Sequence, residues 1–453
     1  MSPPRPTNWH DALAVYTQPR VIGMLFLGFA AGLPFPLVFT TLSTWLRDVG
    51  VDRTTIGFFA WIGITYSIKV LWSPVVDRAP LYRLTRLIGQ RRSWMLVAQM
   101  GIVLGLIGMA VTDPTRDITT MALFALLVAF SSATQDVAID AYRIEAVAGE
   151  YQGAMAGMYQ SGYRIAAALV GGAGALYLAD YISWTASYVV MALAMGIGMI
   201  TVVVIREPEK DISRVTALQE QRVIDYLARA AHIPSVIRVP TAWFIGAVIC
   251  PFSEFFRRNG AWALIILVFI SIYRISDIVL ANMAYPFYID LGFSKVEIAN
   301  IAKIFGVTMT IAGALLGGVL VTRFGVMRIL LLGAVLVIAT NLAFAQLAIS
   351  GKSIAGLALV ISADNLSGGL AGSAFIAYLS RLTNTAYTAT QYALFSSLMT
   401  LIPKIISGFS GLIVDAYGYV NFFIYASALG VPAILLVLYL MRRLNVDIER
   451  GHT

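Results

Sequence analysis

Along the chain, long apolar runs alternate with short polar breaks, and each run can cross a bilayer as a helix of about 20 residues. The runs fall at about 21–46, 54–76, 93–112, 118–142, 152–179 and 183–205, and again at 260–282, 294–320, 328–349, 353–380, 388–413 and 420–441. This pattern predicts an all-α membrane protein with twelve spanning helices in two groups of six. The predicted organisation is an amino-terminal segment 1–20, a first half 21–205, a linker 206–259, a second half 260–441 and a tail 442–453. The linker opens with Arg206, Glu207, Glu209, Lys210, Asp211 and Arg214. It closes on an apolar patch from Trp243 to Phe256, broken by Pro251 and Glu254. We read that patch as an interfacial helix, because a thirteenth crossing would exchange the sides of all later loops and spoil their charge asymmetry.

Composition strengthens this reading. Hydrophobic residues make up 59% of the chain and charged residues 12%, with a mean hydropathy of +0.79. Soluble domains carry about 25% charged residues, so that class is excluded. The formal charge of +8 would suggest nucleic acid in a soluble protein. With both termini cytoplasmic, however, 22 of the 32 Lys and Arg fall in the amino-terminal segment, the inner loops and the tail. The outer loops hold only Arg47, Arg53, Arg116, Lys295 and Lys352, so the basic balance reflects topology and no nucleic-acid partner is expected. The first twenty residues, ending in Gln18-Pro19-Arg20, lack the apolar core and cleavage site of a signal peptide, which also puts the amino terminus inside. The single cysteine, Cys250, excludes a disulfide framework, and His10, His232 and His452 all lie outside the apolar runs. No metal site, cofactor or His-based catalysis is expected, and the linker is too short for the soluble output domain of a sensor.

Nine ionisable residues lie inside the predicted membrane segments: Asp136, Asp140, Asp277 and Asp364, with Lys69, Arg164, Arg274, Lys303 and Lys404. Each costs about 2.5–3.5 kcal/mol near the bilayer centre, so each is a functional candidate that must face protein or water. On the fourth segment Ser132, Gln135, Asp136, Asp140 and Arg143 recur at three- and four-residue spacing and form one polar stripe, expected to line a cavity. Asp140 can pair with Arg143 at i+3. Asp136, one turn deeper, has no basic neighbour on its own helix, which suits a proton carrier; the alternative is an ion pair with Lys69 or Arg164 from neighbouring helices. Arg274 and Asp277 are again i and i+3, either neutralising each other or acting as a switch that substrate or proton opens. Lys69, Arg164, Lys303 and Lys404 have no acid at helical spacing, and together they favour an anionic solute. The four acids are therefore the proton-coupling candidates. Asp364-Asn365-Leu-Ser367-Gly368-Gly369 sets polar groups beside small residues, a pattern that serves binding or close packing. Gly32-Leu-Pro34-Phe-Pro36 should kink the first helix halfway, its freed carbonyls needing partners in a cavity or a neighbouring helix, and is a candidate for substrate contact. Gly171, Gly172 and Gly174, and Gly313, Gly317 and Gly318, favour close helix contact.

The two groups of six also repeat each other. After the second run of the second group stands Gly318-Val-Leu-Val-Thr322-Arg323-Phe-Gly325-Val-Met-Arg328. Its counterpart reads Ser73-Pro-Val-Val-Asp77-Arg78, a ten-residue insertion, and Gly89-Gln-Arg91-Arg92. Two six-helix groups bearing such loops resemble the major facilitator superfamily. Asp77, Arg78, Arg91, Arg92, Arg323 and Arg328 are the gating candidates, through ion pairs and helix-end contacts that form in one state and break in the other, the alternative being solvated inner loops.

A narrower resemblance covers about residues 20 to 440. Gly28-Phe-Ala-Ala-Gly32-Leu-Pro34, Lys69-Val-Leu-Trp72-Ser-Pro74, Ser132-Ala-Thr-Gln135-Asp136, Gly162-Tyr163-Arg164, Pro251-Phe-Ser-Glu254, Tyr273-Arg274-Ile-Ser-Asp277 and Ala389-Thr390-Gln391-Tyr392-Ala393 are similar to the AmpG-type muropeptide permeases. That resemblance implies proton-driven import of 1,6-anhydro-muropeptides across the inner membrane of a Gram-negative cell, a role in cell-wall recycling and, indirectly, in β-lactamase induction. It implies a monomer among membrane lipids whose partners are the muropeptide and protons. The candidate substrate contacts are Lys69, Gln135, Tyr159, Tyr163, Arg164, Arg274, Lys303, Asn365 and Lys404, with sugar rings stacking on Tyr159, Tyr163 or Trp72. The alternative within transport is a siderophore or other bulky anion permease, which the same branch resembles.

Overall fold

The computed structural model describes residues 9–208, 214–230 and 232–449. Lys210 and Asp211, the end of the tail from 450 and the side chain of Lys303 lie outside the described residues. The described chain is helical, with no strand among its elements. Thirteen long helical segments follow in order: α1 Pro19–Asp48, α2 a broken run over 53–78, α3 Gln90–Val111, α4 Ile118–Glu145, α5 Gly149–Tyr181, α6 Trp184–Val204 and α7 Ser235–Asn259. Then come α8 Trp262–Asp290, α9 over 295–324, α10 Val326–Ser350, α11 Ile354–Leu382, α12 Thr388–Ser407 and α13 Ser410–Arg442. Short helices Trp9–Ala14, Tyr82–Ile88 and Arg214–Arg229 lie between or before them.

Among the described residues eleven of these helices are long and apolar enough to cross a membrane. They include α7 and leave out α2 and α12. The run predicted over 54–76 is not one uninterrupted helix. Its backbone leaves helical geometry at Ile68 and Trp72, where ψ is 7° and −3°, and Pro74 restarts it. The first helix bends where its prolines predicted, with pieces ending at Gly32 and Val38.

Small residues set how closely the helices approach. A Cβ on Gly162 of α5 would stand 1.8 Å from the Leu25 carbonyl oxygen of α1, and one on Gly28 would stand 2.2 Å from that of Tyr159. α9 and α11 interlock in the same way, Gly313 against the Leu366 carbonyl and Gly369 against that of Thr310. Such contact is how helices associate where lipid offers no hydrophobic drive. Larger side chains fill the remaining space. Leu37, Ile102, Leu106 and Tyr188 lie in one apolar cluster, and Phe269, Tyr273, Phe375 and Phe395 in another.

α7 lies across one end of the bundle. A Cβ on Gly246 would meet the Arg78 guanidinium at 2.7 Å, while Arg258, twelve residues on, donates to the Leu382 carbonyl at the end of α11. Between them the buried Glu254 carboxylate accepts from Gln391 Nε2 at 2.7 Å and Asn384 Nδ2 at 2.9 Å. Arg78, Leu382 and Gln391 all belong to this end, so the helix runs along it.

Candidate functional site

The same end is closed by a buried polar lattice. The Arg91 guanidinium, 1% exposed, donates to Asp77 Oδ1 at 2.7 Å and to Glu145 Oε1 at 2.6 Å. Asp77 in turn accepts from the backbone N–H of Thr390 at 3.0 Å and of Ala389 at 3.3 Å, capping the start of α12. An anion there satisfies amide donors that no helical carbonyl reaches and complements the positive end of the helix dipole. Thr388 Oγ1 donates to Glu145 at 2.7 Å, and Arg143 Nη1 donates to Ser380 Oγ at 2.5 Å. These bonds tie α2, α3 and α4 to α11 and α12.

The other gating candidates do different work. The Arg78 guanidinium lies over the Tyr387 ring at 5.5 Å. Arg92 donates to the Val202 and Val203 carbonyls at 2.7 and 2.6 Å, satisfying the end of α6. Arg323 lies over the Trp9 ring at 4.4 Å, and Arg328 is exposed. Thr322, standing where the first loop has Asp77, turns its hydroxyl onto its own helix at the Gly318 carbonyl. Glu145 and Glu207 were not among the sequence candidates, although both are essential to this lattice. Glu207 accepts from the Arg91 and Arg92 N–H groups at 2.7 and 3.1 Å, and the positive φ of Gly89 (+91°) lets it approach: a Cβ there would meet the carboxylate carbon at 2.3 Å. The signal for both was their position, an acid just past a spanning run and within reach of a basic loop.

Behind this closure a cavity runs toward the opposite end of the bundle. It consists of two chambers of about 630 and 810 Å³ that share Arg164, Arg274, Asp277, Thr310, Asp364 and Asn365 in their walls. The inner chamber adds Phe35, Pro36, Tyr159, Gln160 and Tyr163; the outer adds Tyr285, Tyr288 and Ile289 near the end of α8. Arg164 reaches the wall because α5 widens into π-type turns over Ile165–Gly174 directly after it. It makes no hydrogen bond or ion pair among the described residues, whereas Arg274 is paired with Asp277. Asp364 accepts from Thr340 Oγ1 at 3.4 Å, and Asn365 accepts from Thr310 Oγ1 at 2.8 Å while donating to the Ile361 carbonyl at 2.9 Å.

The structure therefore brings Tyr159, Tyr163, Arg164, Arg274, Asp277, Asp364 and Asn365 to one cavity, and leaves other candidates outside its walls. Gln135 is fully buried and donates to the Ala30 carbonyl at 2.9 Å, fastening α4 to α1. Lys69 forms a 3.9 Å ion pair with Asp140, which Arg143 also reaches at 3.1 Å. Lys404 is exposed on α12, outside the walls of both chambers, and Trp72 packs on Phe130 and donates to Thr134. On α4 Ser132, Gln135, Asp140 and Arg143 are buried in helix packing and Asp136 is half-buried, while Tyr159 and Tyr163 of α5 line the chamber. Asp136 lies near both tyrosines and near Tyr66, and its Oδ1 has no hydrogen-bond partner among the described residues. Gln160, Thr310, Tyr285 and Tyr288 were missed; they carry no charge, and only the fold says which faces meet.

Among the described residues no group of three or more His, Cys, Asp or Glu is arranged to hold a metal ion. Among the described residues the cavity offers Arg164, without an ion pair, beside the Arg274–Asp277 pair and a second carboxylate, Asp364. That arrangement can bind an anionic solute and exchange ion-pair partners as it does so.

Residues 21–403 match the family model of the Major Facilitator Superfamily. The chain is 33% identical over 434 residues to a Rickettsia felis protein that bears the name AmpG 4, covering 95% of this chain and 99% of that one. It is also 33% identical over 430 residues to the anhydromuropeptide permease of Escherichia coli K12, covering 94% and 80%. Among solved structures, the proton:xylose symporter XylE aligns with a TM-score of 0.66 at 15% identity, covering 95% of this chain and 96% of that one. The human organic anion transporter MFSD10 aligns at 0.61 and 13%, covering 96% and 100%. At such identities these two speak for the fold alone.

Proposed function

The chain belongs to the Major Facilitator Superfamily, and from that premise we propose that it imports 1,6-anhydro-muropeptides from periplasm to cytoplasm in exchange for the energy of the proton gradient. It is a multi-pass membrane transporter. In our reading twelve helices, α1 to α6 and α8 to α13, span the inner membrane as two halves, with α7 in the cytoplasmic interface and both termini inside. The positive-inside distribution supports this orientation. The lattice around Asp77 and Arg91 then closes the cytoplasmic end, and the cavity opens to the periplasm, where an importer receives its solute.

The observation that carries the substrate reading is Arg164, a guanidinium with no ion pair among the described residues, in the shared wall of chambers of about 630 and 810 Å³. A muropeptide carries carboxylates on its peptide, which a guanidinium binds through paired charge-assisted hydrogen bonds. The volume suits a solute far larger than a monosaccharide. The relative in Escherichia coli, a third identical over nearly the whole chain, supports the same class.

Proton coupling rests on Asp136. Its Oδ1 has no hydrogen-bond partner among the described residues, and it lies near the tyrosines that line the cavity, so its charge can change when the cavity changes occupant. Asp140 is held between Lys69 and Arg143, and Asp277 by Arg274, so both are bound to fixed cations. Asp364 is the second candidate.

Counterflow tests the substrate class without a gradient. Proteoliposomes preloaded with unlabelled GlcNAc-1,6-anhydro-MurNAc-tetrapeptide should take up the labelled compound. If they exchange a ferric siderophore instead, the bulky-anion alternative replaces this reading.

A further inference from the structure

The outer chamber has a charged pole and an aromatic one, and α8 contributes to both. Asp277, paired with Arg274, marks the first. Tyr285, eight residues further toward the open end, marks the second at a helical rise of about 12 Å. Between them the wall presents only apolar side chains, Ile278, Leu280, Ala281 and Ala284. The Tyr285 ring is 58% exposed and makes no hydrogen bond among the described residues. It is nonetheless supported: Tyr288 stands edge-on at 5.8 Å, and the buried ring of Tyr288 lies nearly parallel to Phe344 at 6.3 Å. An exposed ring braced by a fixed one gives a face whose position is set before any ligand arrives, which lowers the ordering cost of binding. Its neighbours in the wall, Ile289 and Ile298, are apolar, while Arg164, Arg274 and Asp277 lie together at the other pole and Asp364 stands between, near Tyr288.

A solute that fills both poles must carry an anion at one end and, at the other, an uncharged ring with an apolar face and a hydrated rim. A pyranose has that form: its ring C–H groups stack on an aromatic face while its hydroxyls stay in water. The geometry points to Tyr285 as the saccharide-recognising residue, so that the solute enters peptide first, its carboxylates reaching Arg164 and its sugar held at the mouth. This rests on the muropeptide reading and deepens it, because it assigns an orientation and makes Tyr285 a determinant of specificity. It also replaces Trp72 as a stacking partner, since Trp72 lies outside the cavity wall.

The test uses the full chain in nanodiscs and measures competition against radiolabelled GlcNAc-1,6-anhydro-MurNAc-tetrapeptide. The competitors are the unlabelled compound, its peptide-free disaccharide and its sugar-free tetrapeptide, applied to wild type, Tyr285→Ala and Tyr285→Phe. Tyr285→Ala should weaken the two sugar-bearing competitors by about three- to tenfold, the range expected for one aromatic contact. It should leave the sugar-free peptide unchanged, an internal control that the variant is folded. Tyr285→Phe keeps the ring and should match wild type within twofold. Equal weakening of all three competitors, no change in any, or a wild type that binds none of them overturns the assignment. Binding in the expected pattern by a protein that does not carry out counterflow would remove the transport reading and keep the saccharide pole. Counterflow untouched by Tyr285→Ala would do the reverse.

Discussion

Asp77 and Thr390, 313 positions apart in the chain, are joined twice: one carboxylate oxygen accepts from both the backbone N–H and the hydroxyl of Thr390, each at 3.0 Å. The start of α12 is therefore held by an acid from α2, and that acid is held in turn by Arg91. Closure of this end depends on a carboxylate that is buried, charged and fully bonded.

Removing it should open the end. Asp77→Ala leaves two helix amides and one N–H of the buried Arg91 guanidinium without their partner while Glu145 still neutralises that cation, a loss of about 1–3 kcal/mol for each unsatisfied group from the closed state. In a Cys250→Ser background, a cysteine at Ala393, 2% exposed and one turn beyond the cap, should react with a water-soluble maleimide at least about tenfold faster once Asp77 is replaced. An unchanged rate would mean that other contacts close this end.

Arg164 should govern recognition of charge. Replacing it with Gln removes a charge-assisted contact of about 1.5–3 kcal/mol, so affinity for the tetrapeptide-bearing solute should fall by about 10- to 150-fold. A solute whose peptide carboxylates are amidated should bind wild type and variant alike. Competition binding with the two solutes reads this directly.

Asp136→Asn separates coupling from translocation. An amide neither releases nor takes up a proton, so uptake driven by an inward pH gradient should collapse, while counterflow exchange continues at a comparable rate. Survival of both would transfer the coupling role to Asp364, for which the same pair of assays on Asp364→Asn is decisive.

Gly162 tests the fold rather than the chemistry. A methyl group there would press on the Leu25 carbonyl at 1.8 Å and the Phe29 nitrogen at 2.8 Å, backbone atoms with no rotamer to give. Gly162→Ala should destabilise by about 1–3 kcal/mol or more and lower the unfolding temperature in detergent. At Gly196 of α6 a Cβ meets nothing within 4 Å, so Gly196→Ala should be neutral or slightly stabilising.

Charge inside apolar runs was the most legible feature of the sequence. Arg164, Arg274, Asp277 and Asp364 were all flagged because lipid penalises them, and all four line the cavity. The i, i+3 pairs Asp140–Arg143 and Arg274–Asp277 could be read from helical spacing and are present. What spacing cannot supply is which face meets which neighbour. The stripe on α4 implied a cavity wall, yet Gln135 binds the Ala30 carbonyl, Asp140 and Arg143 are taken up in ion pairs and Ser132 is fully buried. Lys404 had no acid on its own helix, which is equally true of a solvent-facing lysine. Gln160 was missed for the opposite reason, since an uncharged side chain in a spanning run costs little and raises no alarm, and Tyr285 because the helix continues past the predicted end at 282 to Asp290. The second run looked continuous by hydropathy, but its backbone breaks at Ile68 and Trp72. Apolarity alone does not report helix continuity.

The most direct test of the central claim is accumulation. Proteoliposomes containing the protein, given an inward proton gradient, should concentrate radiolabelled GlcNAc-1,6-anhydro-MurNAc-tetrapeptide above the external level and lose it on addition of an uncoupler. Uptake that merely equilibrates, indifferent to the gradient and to the uncoupler, would contradict proton-coupled import.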